Sequence, residues 1–126
     1  MILVVDDQKN MCWILSKVLV DAGFVVATAE TAAEALAVAA NGQVAAAIID
    51  YRLPDQSGFA LLGELRRCHP RLPAVLITSY GSEQLRAEAL RLGFHAYLDK
   101  PLDNRVLIAT LRAVLKETAS RDGAEP

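Results

Sequence analysis

The sequence predicts a doubly wound α/β fold, one parallel sheet between two layers of helices, and three observations carry that prediction. Short β-branched runs alternate five times with longer stretches of helical spacing. The first, third and fourth runs are apolar almost throughout, as parallel strands covered on both faces must be. Glycines close three of the helical stretches. Right-handed crossovers then place helices on both faces of the sheet. A closed barrel would need more such units than 126 residues hold.

The elements follow in order. Residues 2–5 form the first strand, and the helix after it turns Met11, Ile14, Leu15, Val18, Leu19 and Ala22 inward before Gly23 ends it. Residues 24–28 form the second strand. Thr31 and Glu34 then make a T-x-x-E capping box for a helix closed at Gly42. The third strand is 44–49, and Pro70 and Pro73 bracket the loop after the third helix. The fourth strand is 74–78, with Ser82 capping a helix that ends at Gly93. The fifth strand is 96–98, and Pro101 stands just before the fifth helix. Residues 1–117 read as one domain, and the polar stretch 118–126 as a tail or the start of a linker.

Composition narrows the function. Hydrophobic residues make up 53% and charged residues 22%, which is globular rather than disordered. A net charge of −2 without a strongly basic stretch argues against nucleic-acid or anionic-membrane binding by this domain. Two cysteines, Cys12 and Cys68, make neither a disulfide framework nor a four-cysteine zinc site, and read as reduced, half-buried packing residues. No apolar run spans a membrane and no signal peptide opens the chain, so the expectation is a soluble cytoplasmic protein.

In open parallel sheets, ligands bind beyond the carboxyl ends of the strands. There the chain places Asp6 and Asp7 after the first strand and Asp50, Tyr51, Arg52, Leu53 and Pro54 after the third. Thr78 and Ser79 end the fourth, and Asp99, Lys100 and Pro101 the fifth. Three gathered carboxylates repel one another and call for a cation. Oxygen-only ligation suits Mg²⁺, which keeps positions open for a phosphate oxygen. The chemistry this suggests is phosphoryl transfer, with a carboxylate nucleophile and with Lys100 and a hydroxyl on the equatorial oxygens.

With these motifs the chain resembles a receiver domain of a two-component response regulator. The match rests on Val4-Val5-Asp6-Asp7, on Ile49-Asp50-Tyr51-Arg52-Leu53-Pro54 with Gly58, on Ile77-Thr78-Ser79, and on Tyr97-Leu98-Asp99-Lys100-Pro101. It covers nearly the whole chain to about Lys116. The resemblance implies a flavodoxin-like sheet of order 2-1-3-4-5 with five helices. It implies phosphorylation of Asp50 by a sensor histidine kinase or a phosphotransfer protein. Asp7 and Asp50 would hold Mg²⁺ with the Arg52 backbone carbonyl, and Asp6 partly through water. Thr78 and Lys100 would bind the phosphoryl group, and Tyr97 would be the aromatic switch that follows Thr78. A cis peptide is implied before Pro101, and tuning of the phosphate lifetime at Arg52 and Tyr80. The switched surface would be the fourth helix, fifth strand and fifth helix, which also offers a homodimer face.

Departures from the family pattern are few: Gln8 where an acid is common, Ser79 for alanine or glycine, and His95 where small or acidic residues are usual. The stretch 9–15 is similar to receivers of sigma-54-dependent activators of the nitrogen-regulation type, which implies a transcriptional output. A stand-alone or phosphorelay receiver is the alternative. His69 and His95 lack partners at ligand spacing and read as surface or packing residues. Trp13 lies off the inward stripe, packed on the stems of Lys9 or Lys17 or offered to a partner. Two enzyme-like readings fit less well. A capless phosphohydrolase of the haloacid dehalogenase type wants its nucleophile after the first strand. A flavodoxin-like cofactor binder wants a hydroxyl- and glycine-rich phosphate loop where Asp6 and Asp7 stand.

Overall fold

The five apolar runs become β1 (Ile2–Val5), β2 (Val26–Ala29), β3 (Ala46–Asp50), β4 (Ala74–Thr78) and β5 (Ala96–Asp99). They alternate with α1 (Lys9–Asp21), α2 (Ala32–Ala40), α3 (Gly58–Cys68), α4 (Glu83–Arg91) and α5 (Asn104–Ala124). This computed structural model describes the backbone of residues 1–124 and the side chains of residues 1–118. The sheet has the expected order β2-β1-β3-β4-β5, with every pair parallel.

Alternation along each strand feeds two cores. Leu3, Val5, Ala47, Ile49 and Leu76 face one layer, with the alanines of α2 and with Leu61, Leu62 and Leu65 of α3. Ile2, Val4, Ile48, Val75 and Ile77 face the other, with Leu15 and Leu19 of α1 and Leu107, Leu111 and Val114 of α5. β1, β3 and β4 are buried throughout, so their continuous apolar sequence is what burial on both faces requires. Truncating such a side chain, Leu76→Ala for example, costs about 2–5 kcal/mol. α4 buries only Ala89 fully and is the most lightly anchored helix among those with described side chains.

Register positions the chemistry. Val5 pairs with Ile49 across β1 and β3, and Asp50 pairs with Ile77 across β3 and β4. Thr78 pairs with Asp99 across β4 and β5. The chain runs to β2 on one side of β1 and to β3 on the other, so β1 and β3 flank the switch point of the sheet.

Several details differ from the sequence reading. β3 runs on to include Asp50, which ends its strand rather than following it, and β5 closes at Asp99. Gly23 and Gly93 take φ values of +100° and +98°, as helix-ending glycines should, whereas Gly42 has no positive φ. Asn41 closes α2 instead, its Nδ2 donating to the Ala37 carbonyl at 3.0 Å. Thr31 accepts from the Glu34 amide at 3.0 Å, but the Glu34 carboxylate accepts from Glu30, one residue ahead of the box position. Ile14 is not on the inward stripe. It is 44% exposed, and Cys12 is buried in α1 alongside Leu15 and Leu19. Cys68, expected half-buried, is exposed. α5 continues to Ala124, through most of the stretch read as a tail, and residues 125–126 lie outside the described residues. Among the described residues, no helix is long and apolar enough to cross a membrane.

Candidate functional site

Asp6 leaves β1 fully buried, and both carboxylate oxygens are engaged. The Gln8 amide donates to Oδ1 at 3.0 Å, and the Lys100 ammonium donates to Oδ2 at 2.7 Å. Asp7 is exposed beside it and does not cap α1, whose N-cap position falls to Gln8. Cys12 supports this corner by directing its thiol at the Asp6 carbonyl, 3.2 Å away. Burial, then the Asp6 charge, pushes that thiol up to about 11, so it is an inert structural group.

Asp50 is 7% exposed at the end of β3, and its loop is held tightly. The Gly58 amide donates to the Tyr51 carbonyl at 2.7 Å, and a Cβ at position 58 would stand 2.5 Å from the Asp50 carbonyl oxygen. Only glycine lets α3 start this close to the strand. An Arg52–Ser57 bridge and a Leu53–Gln56 hydrogen bond fold the intervening residues into a tight turn. The Ser57 hydroxyl caps α3 by accepting from the Ala60 amide.

Carboxylate oxygens of Asp6, Asp7 and Asp50 lie within 4.8 Å of one another. Lys100 reaches Asp50 Oδ2 at 3.4 Å, and its own backbone amide donates to the Thr78 carbonyl at 2.8 Å. Thr78 is buried, with Oγ1 accepting from the Tyr80 amide at 3.0 Å. The Arg52 guanidinium lies over the Tyr80 ring, 4.2 Å from its centroid. Together Asp7, Gln8, Asp50, Arg52, Ser79, Tyr80 and Lys100 line a cavity of about 190 Å³. A larger cavity of about 550 Å³ lies at the opposite end of the sheet, among Val44, Cys68, His69, Leu72 and Thr118, and none of the described residues lining it is a carboxylate.

Three carboxylates and one ammonium leave a net charge of −2 at this spot if all are ionised. Burial and then the neighbouring Asp6 raise the pKa of Asp50, with Lys100 pulling the other way. Burial opposes the charge on Lys100, but the hydrogen bond and field of Asp6 and the field of Asp50 outweigh it and raise its pKa. An oxygen-only, electron-rich pocket with residual negative charge fits a hard divalent cation such as Mg²⁺. Tyr97 stands apart from this cluster. Its ring packs on the core and its hydroxyl donates to Asp99 Oδ1 at 3.0 Å.

The family model of the response regulator receiver domain matches residues 2–112. The chain belongs to that family. It is 37% identical over 125 residues to the transcriptional regulatory protein ZraR of Escherichia coli (strain K12), covering 99% of this chain and 28% of that protein. It is 34% identical over 100 residues to the DNA-binding transcriptional regulator NtrC of the same organism, covering 79% of this chain and 21% of NtrC. The chain thus spans about a quarter of the length of these relatives. A receiver domain protein of Methanospirillum hungatei JF-1 has a solved structure that superposes with a TM-score of 0.89 at 31% identity, covering 95% of this chain and 96% of that one.

Within the receiver, two of the three departures from the family pattern sit at the cavity. Gln8 and Ser79 both line it. His95 does not; its Nδ1 accepts from the Ala74 amide at 3.4 Å, at the far end of β4. His69 donates from Nε2 to the Ala39 carbonyl at 3.1 Å, so both histidines are packing residues. Trp13 is 66% exposed with the Lys17 ammonium 5.3 Å above its ring. The sequence reading missed the Arg52–Tyr80 stack, the cap on α2 in which the Asp55 carboxylate accepts from the Ala32 and Ala33 amides, and the Tyr97–Asp99 bond. Residue type at positions 52 and 80 could have suggested the first and the strand spacing of Tyr97 and Asp99 the third, whereas the Asp55 cap had no signal in spacing.

Proposed function

We propose that this receiver takes a phosphoryl group onto Asp50 from the phosphohistidine of a sensor kinase or phosphotransfer protein, and that the modification switches a transcriptional output in the cytoplasm. The observation that carries the reading is the convergence of Asp6, Asp7 and Asp50 within 4.8 Å, with Lys100 bridging two of them. In the transfer, an Asp50 carboxylate oxygen attacks phosphorus as the phosphorus–nitrogen bond breaks. The imidazole nitrogen keeps the electron pair and takes a proton from solvent. The Lys100 ammonium, 3.4 Å from Asp50, is placed to bind a phosphoryl oxygen.

Asp7, Asp50 and the Arg52 carbonyl would hold Mg²⁺, with Asp6 acting partly through water. When bound, Mg²⁺ neutralises charge that gathers on the phosphoryl oxygens. The Thr78 hydroxyl would then exchange its Tyr80 amide for a phosphoryl oxygen, and Tyr97 would follow it inward. That motion would reshape the α4–β5–α5 surface, the proposed face for homodimer formation. The only chemistry proposed for the domain is its own phosphorylation and dephosphorylation.

Beryllofluoride, a phosphoryl mimic, provides the test. It should bind only with Mg²⁺ present, and Asp50→Asn should abolish binding while leaving the circular dichroism spectrum intact. Stoichiometric modification of the Asp50→Asn variant by a phosphodonor would overturn the assignment.

A further inference from the structure

Tyr97 and Asp99 lie two residues apart on β5, hence on the same side of the strand. The phenol donates to Asp99 Oδ1 at 3.0 Å. Both groups rest against Gly81, in the loop between β4 and α4. A Cβ on Gly81 would collide with the Tyr97 hydroxyl and with the Asp99 carboxylate. The absence of a side chain at 81 is therefore what lets this pair close. Burial, and then the bond to Asp99, raises the pKa of the phenol, so it stays a donor across the working range of pH. Asp99 is not among the residues that line the acidic cavity.

We propose that Asp99 is a positioning residue. Seated on Gly81, its carboxylate holds the Tyr97 phenol against the β4–α4 loop and thereby sets how readily Asp50 accepts a phosphoryl group. This deepens the switch reading above and rests on it. A hydrogen bond to an ionised acceptor is stronger than a neutral one, and Tyr97 must give it up to follow Thr78. The resting placement is stabilised by that difference, less what water returns to an exposed carboxylate. Any fraction of molecules held in the Asp99-bonded placement lowers the apparent affinity for a phosphoryl group by the same fraction. Asp99 thus acts as a threshold on the switch while touching neither the metal site nor the nucleophile.

The experiment is a double-mutant cycle read by beryllofluoride titration at saturating Mg²⁺, paired with Tyr97 χ1 couplings measured by NMR in the free protein. Asp99→Ala should tighten beryllofluoride binding about three- to tenfold. In the Tyr97→Phe background, which has no phenol to hold, Asp99→Ala should change nothing further. Asp99→Asn keeps an acceptor without the charge and should fall between. Tyr97 should show one χ1 rotamer in the wild type and averaging in Asp99→Ala. An equal gain with and without the phenol would mean that Asp99 acts by charge alone, and would overturn the proposal. A single fixed rotamer in Asp99→Ala would overturn it too, as would averaging with no change in affinity. If the wild type fails to bind beryllofluoride at all, the reading of Asp50 fails. The rotamer measurement still decides whether Asp99 holds Tyr97.

Discussion

Lys100 is committed first to Asp6: its ammonium stands 2.7 Å from that buried carboxylate and 3.4 Å from the one on Asp50. Asp6 also has the Gln8 amide. Asp50 is left as the under-compensated member of the cluster, which is why burial and Asp6 together raise its pKa. An acid whose pKa rises on folding favours the fold below its unfolded pKa, and that contribution is lost as pH rises through the folded value. At neutral pH the Asp50 charge therefore works against the metal-free fold.

The consequence is measurable without any phosphodonor. Asp50→Asn should raise the Tm of metal-free protein at pH 7 by a few degrees, the scale on which about 1 kcal/mol acts in a domain of this size. Millimolar Mg²⁺ should stabilise the wild type more than the variant and narrow the gap. Calorimetry with and without Mg²⁺ checks both parts. A variant less stable than metal-free wild type would contradict the charge argument.

Asp55 predicts a pH dependence of opposite sign. Its two carboxylate oxygens accept from the Ala32 and Ala33 amides, at 2.9 and 3.0 Å, so a residue from the β3–α3 loop caps α2. These bonds lower its pKa. A carboxylate with a lowered folded pKa stabilises the fold above its unfolded pKa, and the contribution disappears as pH falls through the folded value. Asp55→Ala should lower the Tm at pH 7, and the difference from wild type should close as pH drops below about 4. A gap that stays constant between pH 7 and pH 3 would mean that the carboxylate charge contributes nothing.

In the proposed switch, transmission from Asp50 has a specific first step. Thr78 Oγ1 now accepts from the Tyr80 amide, so turning toward a phosphoryl oxygen releases that amide. Hydrogen exchange at Tyr80 should accelerate when beryllofluoride binds, with further changes across 79–92 and 97–100. α4 buries a single residue fully, so it gives way at low cost. Changes confined to Asp6, Asp7 and Asp50 would rule out this route.

How much was legible in the sequence divides along one line. The sheet order, the cluster at the strand ends and the positions of Asp50, Thr78 and Lys100 follow from apolar runs, strand ends and a family resemblance, all of which are local. Asp55 on α2, Arg66 of α3 bridging the Leu72 and Gly93 carbonyls, and Gly81 seating the Tyr97–Asp99 pair each join a loop to another element far along the chain, and no periodicity encodes those long-range contacts. Ile14 shows a subtler failure. Helical spacing marked it as inward, but the buried face of α1 is centred on Cys12, Leu15 and Leu19, at i, i+3 and i+7, which leaves Ile14 at its edge.

The last prediction concerns how long a phosphoryl group stays on Asp50. Hydrolysis needs a water in line with the phosphorus–oxygen bond, and that water must come through the cavity of about 190 Å³ over the site. Arg52 and Tyr80 stand at its lining, stacked with the guanidinium carbon 4.2 Å from the ring centroid. A stacked pair is less mobile than either side chain alone, since each restricts the rotamers of the other. Neither group orients water as a carboxylate or amide would, and neither is a base near neutral pH. The expected result is slow self-dephosphorylation, which suits a transcriptional output. Arg52→Asn with Tyr80→Glu should shorten the phosphate half-life by about tenfold, less than the ~10²-fold or more that a fully positioned general base contributes. Because the stack couples the two positions, the single variants should not multiply to the double one. Pulse-chase decay of phosphorylated protein supplies the measurement, and an unchanged or longer half-life in the double variant would show that the stack does not limit water.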